Sequence, residues 1–323
     1  TSEAKVAQFS FPLFCASNYT ERFVDFSDVD TPVKLLNLVV ENGGDLYFDS
    51  IDFLVKLPDG LSDLDYAFLI SLAQMLRCYD RPTGMVRDHA NWPASGTDSF
   101  NAVPGLGWCA LAAACGADAG FVELEDAKAL AKQTIGNLLA IPPHATGWLP
   151  HWTEFNDDGN VVAHPDPTDA YSTVDTALAY LSAYAAALTL GLDDERDAIL
   201  AKIWALNFAA VTDEDHEIHH GFDQAGNLLP GTWIDFGGET LLLMILAKMN
   251  DPCAEYSYNH TPDASTIVYR GNGFIMEVAS ILFAQFGEDA AAGSDAWGVD
   301  WHALRQQLLD AQKATVGLDA FVG

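Results

Sequence analysis

The chain has 323 residues, half of them apolar, and it carries 15 Lys and Arg against 46 Asp and Glu, a net charge of −31. This length can form one large domain or two ordinary ones around a sizeable core. A surface this acidic repels nucleic acid and anionic lipid, so we expect no nucleic-acid partner. The same charge suits a neutral ligand, a halophilic source or simple solubility.

No membrane span is predicted, because the most apolar stretch, residues 171–191, has a helix-capping signal and lacks basic flanks. No secretory segment opens the sequence, but it starts at Thr1 without Met, as it would if a leader had been removed. The compartment is left open, with a periplasmic or secreted location slightly favoured over a cytoplasmic one.

Residues 1–60 show mixed patterns, and we predict that they form a segment packed on, or part of, the domain that follows. Residues 9–14 and 45–55 could be short strands or an irregular cap. Residues 31–41 could be a short helix with Pro32 at its first position.

From residue 62 onward the apolar spacing is helical, and two kinds of helix alternate. Inner helices, apolar on most sides and therefore surrounded by other helices, are predicted at 103–115, 173–190, 238–249 and 273–286. The remaining helices are predicted at 62–78, 123–139, 194–210 and 301–313. This alternation indicates an all-α fold of antiparallel helix pairs, an α/α barrel over residues 61–323 that forms one structural domain overall.

Helix ends are also marked. Ser62 with Asp65, and Ser172 with Asp175, form S-x-x-D capping boxes, and Gly191 ends the helix that starts after Ser172.

Cysteine and histidine spacing predicts neither a metal nor a cofactor. The five cysteines include no C-x-x-C pair. Cys78, Cys109 and Cys115 fall on apolar helical segments and are predicted to be buried free thiols. His219 and His220 are adjacent, which does not place both on one helix face.

Acidic and aromatic residues concentrate in the long loops before the inner helices, whose N-termini meet at one end of such a barrel. Sugar rings stack on aromatic planes, and their hydroxyls bond to carboxylates and Arg. Glycosidic cleavage needs one protonated and one ionised carboxyl group. The loops therefore predict an oligo- or polysaccharide partner. The candidates are Asp80, Arg81, Asp88, His89, Trp92, Asp98, Trp148, His151, Trp152, Asp175, Trp233, Asp235 and Glu239.

Each candidate also has a purely structural interpretation. Asp175 could be only the capping partner of Ser172. Glu239 lies in the first turn of a predicted helix, where the dipole favours acids. His151 and the tryptophans could pack in the core or the loops, and Arg81 could simply pair with an acid.

Several stretches carry a family resemblance: DRPTGMVRDH, GWLPHWTEFNDDGN, YSTVDTALAYLSAYAAAL and GTWIDFGGETLLLMILAKMNDP, within residues 75–250. They resemble the glycoamylase-like family of (α/α)6-barrel proteins, which includes bacterial β-1,2-glucan hydrolases and the matching domain of cyclic β-1,2-glucan synthases. The resemblance implies an all-α (α/α)6 barrel, or toroid, with long loops forming a cleft at one end. The residues that match the family pattern are Gly84, Asp88, Gly147, His151, Ser172, Thr173, Asp175, Thr176 and Glu239.

The chain departs from the family pattern at three places. Ala170 stands where the family often has Glu, with Asp169 beside it. Gly237 and Gly238 stand where the family has a Tyr-containing segment before the Glu, and residues 250–252 stand where it has Gly-Ser-Pro. If the missing Glu is the family's proton donor, then Asp169 or another acid has taken over, or the activity has changed.

We predict a glycoside hydrolase that cleaves a β-linked glucan, with β-1,2-glucan favoured, by an inverting two-carboxylate mechanism. The predicted carboxyl pair is Glu239 with Asp175 or Asp169. The predicted substrate-binding residues are Arg81, Asp88, Trp148, His151, Trp152, Trp233 and Asp235. Two alternatives stay open: a transglycosylase or a hydrolase of another glycan on the same fold, and a non-catalytic glycan-binding protein with a decayed site.

Overall fold

The computed structural model of the chain describes five stretches and a few single positions near the C-terminus. The stretches are residues 61–80, 82–89, 100–164, 170–235 and 238–259. Residue contacts divide the chain into a unit of residues 1–54 and a unit of residues 55–323, and every described element belongs to the second unit. The elements predicted within residues 1–60 lie outside the described residues, as do nearly all of 273–286 and 301–313. The predicted domain boundary at residue 60 stays a prediction.

Six α-helices occur in the described part of the chain. They are α1 Asp63–Cys78, α2 Val103–Asp118, α3 Leu124–Ala140, α4 Thr173–Leu190, α5 Asp193–Trp204 and α6 Gly238–Asn250. Each confirms a predicted helix to within a few residues. The exception is the segment predicted as one helix at 194–210: it ends as an α-helix at Trp204, and a separate 3₁₀ turn follows at Phe208–Ala210.

Burial separates these helices as predicted. Helices α2, α4 and α6 are buried on most sides, whereas α5 buries only Ile199 and Ile203. Helix α4 packs against α2, α3, α5 and α6. At its C-terminus Gly191 adopts a left-handed conformation (φ 66°) that closes the helix. The described part is therefore helix-rich, with buried and half-exposed helices alternating along the chain.

The close packing of α2 on α4 depends on Gly107. A methyl group at this position would lie 2.3 Å from the Ala179 carbonyl oxygen and 2.6 Å from Ser182 Oγ. We expect Gly107→Ala to lower the free energy of unfolding by roughly 1–3 kcal/mol, because a backbone carbonyl cannot give way as a flexible side chain can. Urea denaturation measures this change.

The matched control is Gly136→Ala in the interior of α3, where an added methyl group meets nothing within 4 Å. This variant should be more stable than the wild type by up to about 1 kcal/mol, since Ala is the better helix former. Equal stability of the two variants would contradict a close contact at Gly107.

The long loops contain short antiparallel strands where we predicted only irregular structure. Strand β1 pairs with β2, β4 pairs with both β3 and β5, and β6 pairs with β7. These strands have two to four residues, which is too short to leave an alternating pattern in the sequence. They are β1 Tyr79–Asp80, β2 Met85–Val86, β3 Asn101–Ala102, β4 Trp152–Phe155, β5 Val161–Ala163, β6 Tyr171–Ser172 and β7 Gly221–Phe222.

The cysteine predictions are partly corrected. Cys78, Cys109 and Cys115 are free, and burial raises the pKa of the Cys109 thiol to about 12, so it stays protonated. Cys78 is half-buried, and Cys115 is exposed rather than buried, whereas its α2 neighbours Ala114 and Gly116 are buried. A helix with the length and apolarity to cross a bilayer does not occur within the described residues.

Candidate active site

The N-terminus of α4 is capped by a hydrogen bond to the Ser172 side chain. The Asp175 backbone N–H donates to Ser172 Oγ at 3.2 Å. The Ser172 N–H donates to the Leu149 carbonyl oxygen at 3.1 Å, so the Asp175 side chain does not accept the second bond of a capping box. At α1, in contrast, both bonds between Ser62 and Asp65 are present. The capping interpretation of Asp175 therefore accounts for its backbone but not for its carboxylate.

The Asp175 carboxylate faces a histidine from the preceding loop. His151 Nε2 lies 3.7 Å from Asp175 Oδ2, and the two side chains are 28% and 14% exposed. The His151 ring stacks on the Trp152 indole, with 3.9 Å between centroids and 23° between planes. The indole N–H of Trp152 donates to Asp88 Oδ1 at 3.3 Å. Four predicted site residues from three segments of the chain are therefore in one connected group.

Glu239 joins this group from the first turn of α6. Burial raises the pKa of the Glu239 carboxyl above its usual range, and the negative charge of Asp175 raises it further. A carboxyl group whose pKa is raised next to a second carboxylate is the arrangement that divides acid and base roles between two residues. Glu239 and Asp175, one of the two pairs that we predicted, are thus close enough for the charge of Asp175 to act on Glu239.

The raised pKa of Glu239 has a consequence for stability. Because the pKa of Glu239 is raised in the folded state, its protonation favours folding. This contribution to stability is lost as the pH rises through the folded-state pKa. We expect Glu239→Gln to be more stable than the wild type at neutral pH. The difference should vanish below the ordinary Glu pKa of about 4.3. Urea denaturation at the two pH values measures it.

The control for this prediction is Glu195→Gln, which removes a half-buried acid from the first turn of α5. It should give no gain at neutral pH, because it removes only a favourable interaction with the helix dipole. A Glu239→Gln variant that is less stable than the wild type at neutral pH would contradict the raised pKa.

Trp233 lies against the first residue of α4. Its indole N–H donates to Thr173 Oγ1 at 3.0 Å, and its ring packs on His220 with 4.3 Å between centroids. The Thr173 hydroxyl reaches the carbonyl oxygens of His219 and His220, each at 2.9 Å. Trp233 is therefore held against Thr173, which lies two residues before Asp175 in the sequence, and its side chain is half-exposed.

Of the other predicted site residues, the structure describes Trp148 and Asp235. Trp148 was predicted to be a sugar platform, but it is fully buried. Its indole N–H donates to the Asn207 carbonyl oxygen at 3.3 Å, and its ring meets Phe208 edge-on, so no face is open to a sugar. Asp235 is an exposed residue of the loop before α6. Arg81 and Asp169 lie outside the described residues.

A second group, next to Trp152, was not predicted from the sequence. His164 Nδ1 lies 2.9 Å from Glu154 Oε2, and Phe100 packs on both the His164 and the Trp152 ring. The only available signal was the alternation of Trp152 and Glu154 ahead of the Asn-Asp-Asp-Gly-Asn turn, which we had interpreted as a loop. In the part of the chain that the structure describes, no group of three or more His, Cys, Asp and Glu residues could hold a metal ion.

Comparison with known proteins yields structural likeness alone. No protein-family model matches the sequence, and no curated protein matches it. A candidate glucoamylase from Bacteroides caccae has a similar structure, with 14% identity over 77% of this chain and 67% of that chain and a TM-score of 0.55.

Two further solved structures are less similar. An endo-β-1,2-glucanase from Chitinophaga pinensis, in complex with sophorotriose and glucose, has 15% identity over 71% of this chain and a TM-score of 0.45. A candidate glucoamylase from Bacteroides fragilis has 16% identity over 72% of this chain and the same TM-score. This chain covers 52% and 53% of those two proteins, or about half of each.

The shared feature is the fold. The likeness to the Bacteroides caccae structure concerns the fold, and it agrees with the helix-rich architecture predicted from the sequence.

Proposed function

We propose that the protein is a glycoside hydrolase that cleaves a β-linked glucan, with β-1,2-glucan as the favoured substrate. The observation that carries this proposal is that Glu239 and Asp175 lie in the first turns of two buried helices, where burial and the Asp175 charge raise the pKa of the Glu239 carboxyl. The linkage comes from the sequence motifs that resemble β-1,2-glucan hydrolases. We also propose that the helix pairs close into an (α/α)6 barrel, which the likeness to the Bacteroides caccae structure supports.

The two acids have distinct roles in this mechanism. Glu239 donates its proton to the glycosidic oxygen as the bond to the leaving sugar breaks, so the leaving group departs as a neutral alcohol. Asp175 removes a proton from a water molecule, which attacks the anomeric carbon from the opposite face. An inverting pair stands roughly 6.5–9.5 Å apart to admit that water. His151, with Nε2 3.7 Å from Asp175, helps to keep this carboxylate ionised whenever the imidazole is protonated.

The remaining residues of the group bind sugar. Trp152 and Trp233 are half-exposed indoles whose N–H groups bond to Asp88 and Thr173. Fixed aromatic rings of this kind offer apolar surface to the C–H face of a pyranose. Arg81, Asp88 and Asp235 are proposed to bond sugar hydroxyls, and Asp169 is the alternative proton donor.

The test is incubation of the purified protein with linear glucans of β-1,2, β-1,3, β-1,4 and α-1,4 linkage. We expect new reducing ends from β-1,2-glucan, and an inverting enzyme must release the α-anomer first, which proton NMR detects. Initial release of the β-anomer would overturn the inverting mechanism, and products longer than the substrate would indicate a transglycosylase. Binding without turnover would indicate a non-catalytic protein. The absence of both binding and turnover would overturn the proposal.

A further inference from the structure

The sheet formed by β3, β4 and β5 has two unlike faces. Asn101 pairs with Thr153, and both side chains are buried. Because side chains alternate along a strand, Trp152 and Glu154 point to the opposite face from Thr153. His164 donates its backbone N–H to the Trp152 carbonyl oxygen, which places it directly beside Trp152.

Three side chains next to Trp152 form what we call the outer-face cluster: Phe100, Glu154 and His164. The Phe100 ring stacks on the His164 ring, with 5.0 Å between centroids and 29° between planes. It also packs against Trp152, with 5.3 Å between centroids. The Glu154 and His164 side chains, 2.9 Å apart, are 32% and 27% exposed. Half-exposed rings and a half-exposed polar pair are therefore adjacent on one surface.

This cluster is continuous with the candidate active site. Trp152 contacts Phe100 on one side and stacks on His151 on another, and His151 faces Asp175. The row of rings thus leads away from the carboxyl pair along the outer face of the sheet. A glycan held at the carboxyl pair and extending along this row would reach the outer-face cluster with a sugar unit other than the two joined by the cleaved bond.

The chemistry of the cluster matches a sugar. A carboxylate accepts hydrogen bonds from hydroxyls, an imidazole can donate or accept one, and aromatic edges and faces pack on C–H groups. A glucose unit is neutral, so the strongly acidic surface does not repel it. A half-exposed polar pair adds little to folding, so stability alone is a weak reason for the Glu154–His164 pair.

We propose that the outer-face cluster is a binding subsite for a further glucose unit of the same glycan chain, remote from the cleaved bond. The proposal rests on the proposed function and extends it. It predicts that the protein prefers long oligosaccharides and that this preference resides in Glu154 and His164.

The experiment compares Glu154→Ala and His164→Ala with the wild type on a series of β-1,2-linked oligosaccharides of increasing length. On the long members we expect kcat/KM to fall about tenfold to hundredfold, mainly through KM, because hydrogen bonds to charged groups are lost. On the shortest cleavable member kcat/KM should stay unchanged. Glu154→Gln, which keeps one acceptor oxygen, should recover part of the loss.

Phe155→Ala is the matched control. Phe155 lies on the same strand but points to the face opposite Glu154, and it is 37% exposed. This variant should show no length-dependent change. A loss in the Glu154 and His164 variants that is equal at all lengths, or accompanied by a lower melting midpoint, would assign the cluster a structural role and overturn the subsite.

The subsite proposal can be tested separately from the proposed function. If the wild type cleaves no glucan, isothermal titration with the same oligosaccharides replaces the kinetic readout. Weaker binding of only the long members by Glu154→Ala and His164→Ala would then support the subsite in a protein without hydrolytic activity. Identical binding by wild type and variants would overturn it.

Discussion

Replacing Glu239 by Gln is expected to reduce kcat on a β-linked glucan by about 10²–10⁴-fold. The variant keeps the size and polarity of the side chain but cannot donate a proton to the leaving oxygen. The KM should change much less, because Gln still fills the same place in the first turn of α6. Reducing-end release under saturating substrate measures the effect.

The control is again Glu195→Gln, which removes an acid from the first turn of α5. If both variants keep wild-type kcat, Glu239 is not the proton donor. Asp169→Asn then tests the other candidate acid. If both variants lose activity equally, the loss reflects the charge or stability of a helix end rather than chemistry.

Replacing Trp148 by Ala is expected to lower the free energy of unfolding by about 3–5 kcal/mol. The indole is fully buried and edge-packed on Phe208, and the bond from its N–H to the Asn207 carbonyl oxygen would be lost with it. A loss of this size is a large share of the roughly 5–15 kcal/mol that stabilises a typical native protein. Urea denaturation followed by far-UV circular dichroism measures it.

Trp204→Ala is the matched control for Trp148. Trp204 ends α5 and is 62% exposed, so its removal should change stability by less than about 0.5 kcal/mol. A Trp148→Ala variant that keeps wild-type stability and shows only a higher KM would mean that the sugar-platform prediction was right after all.

The helices could be predicted because their signals are local. Ser62, Ser172 and Gly191 mark helix ends through bonds and backbone angles that involve only a few neighbouring residues. The apolar pattern on most sides of α4 also predicted its burial correctly. The strands in the loops could not be predicted, because a two-residue strand exists only through its partner, and the partner of β6 lies some fifty residues away.

The candidate site was predictable in part for the same reason. Asp175 and Glu239 follow from the rule that helix N-termini meet at one end of a barrel. The different burial of Trp148 and Trp152 could not be predicted. Trp148 is fully buried and Trp152 is half-exposed, but nothing in the local sequence distinguishes the two indoles. The Glu154–His164 contact depends on the cross-strand register of β4 and β5, which the sequence does not state.

The first turn of α4 is fastened to the loops around it by several hydrogen bonds. The Ser172 N–H donates to the Leu149 carbonyl oxygen, and the Leu149 N–H donates to Thr176 Oγ1 at 3.0 Å. The Thr173 hydroxyl donates to the His220 carbonyl oxygen. The hairpin of β4 and β5, in contrast, closes through the polar turn at residues 156–160. Under the proposed mechanism, directed evolution can therefore vary that hairpin to change which glycan lengths bind, while the bonded first turn of α4 keeps the Asp175 carboxylate in place.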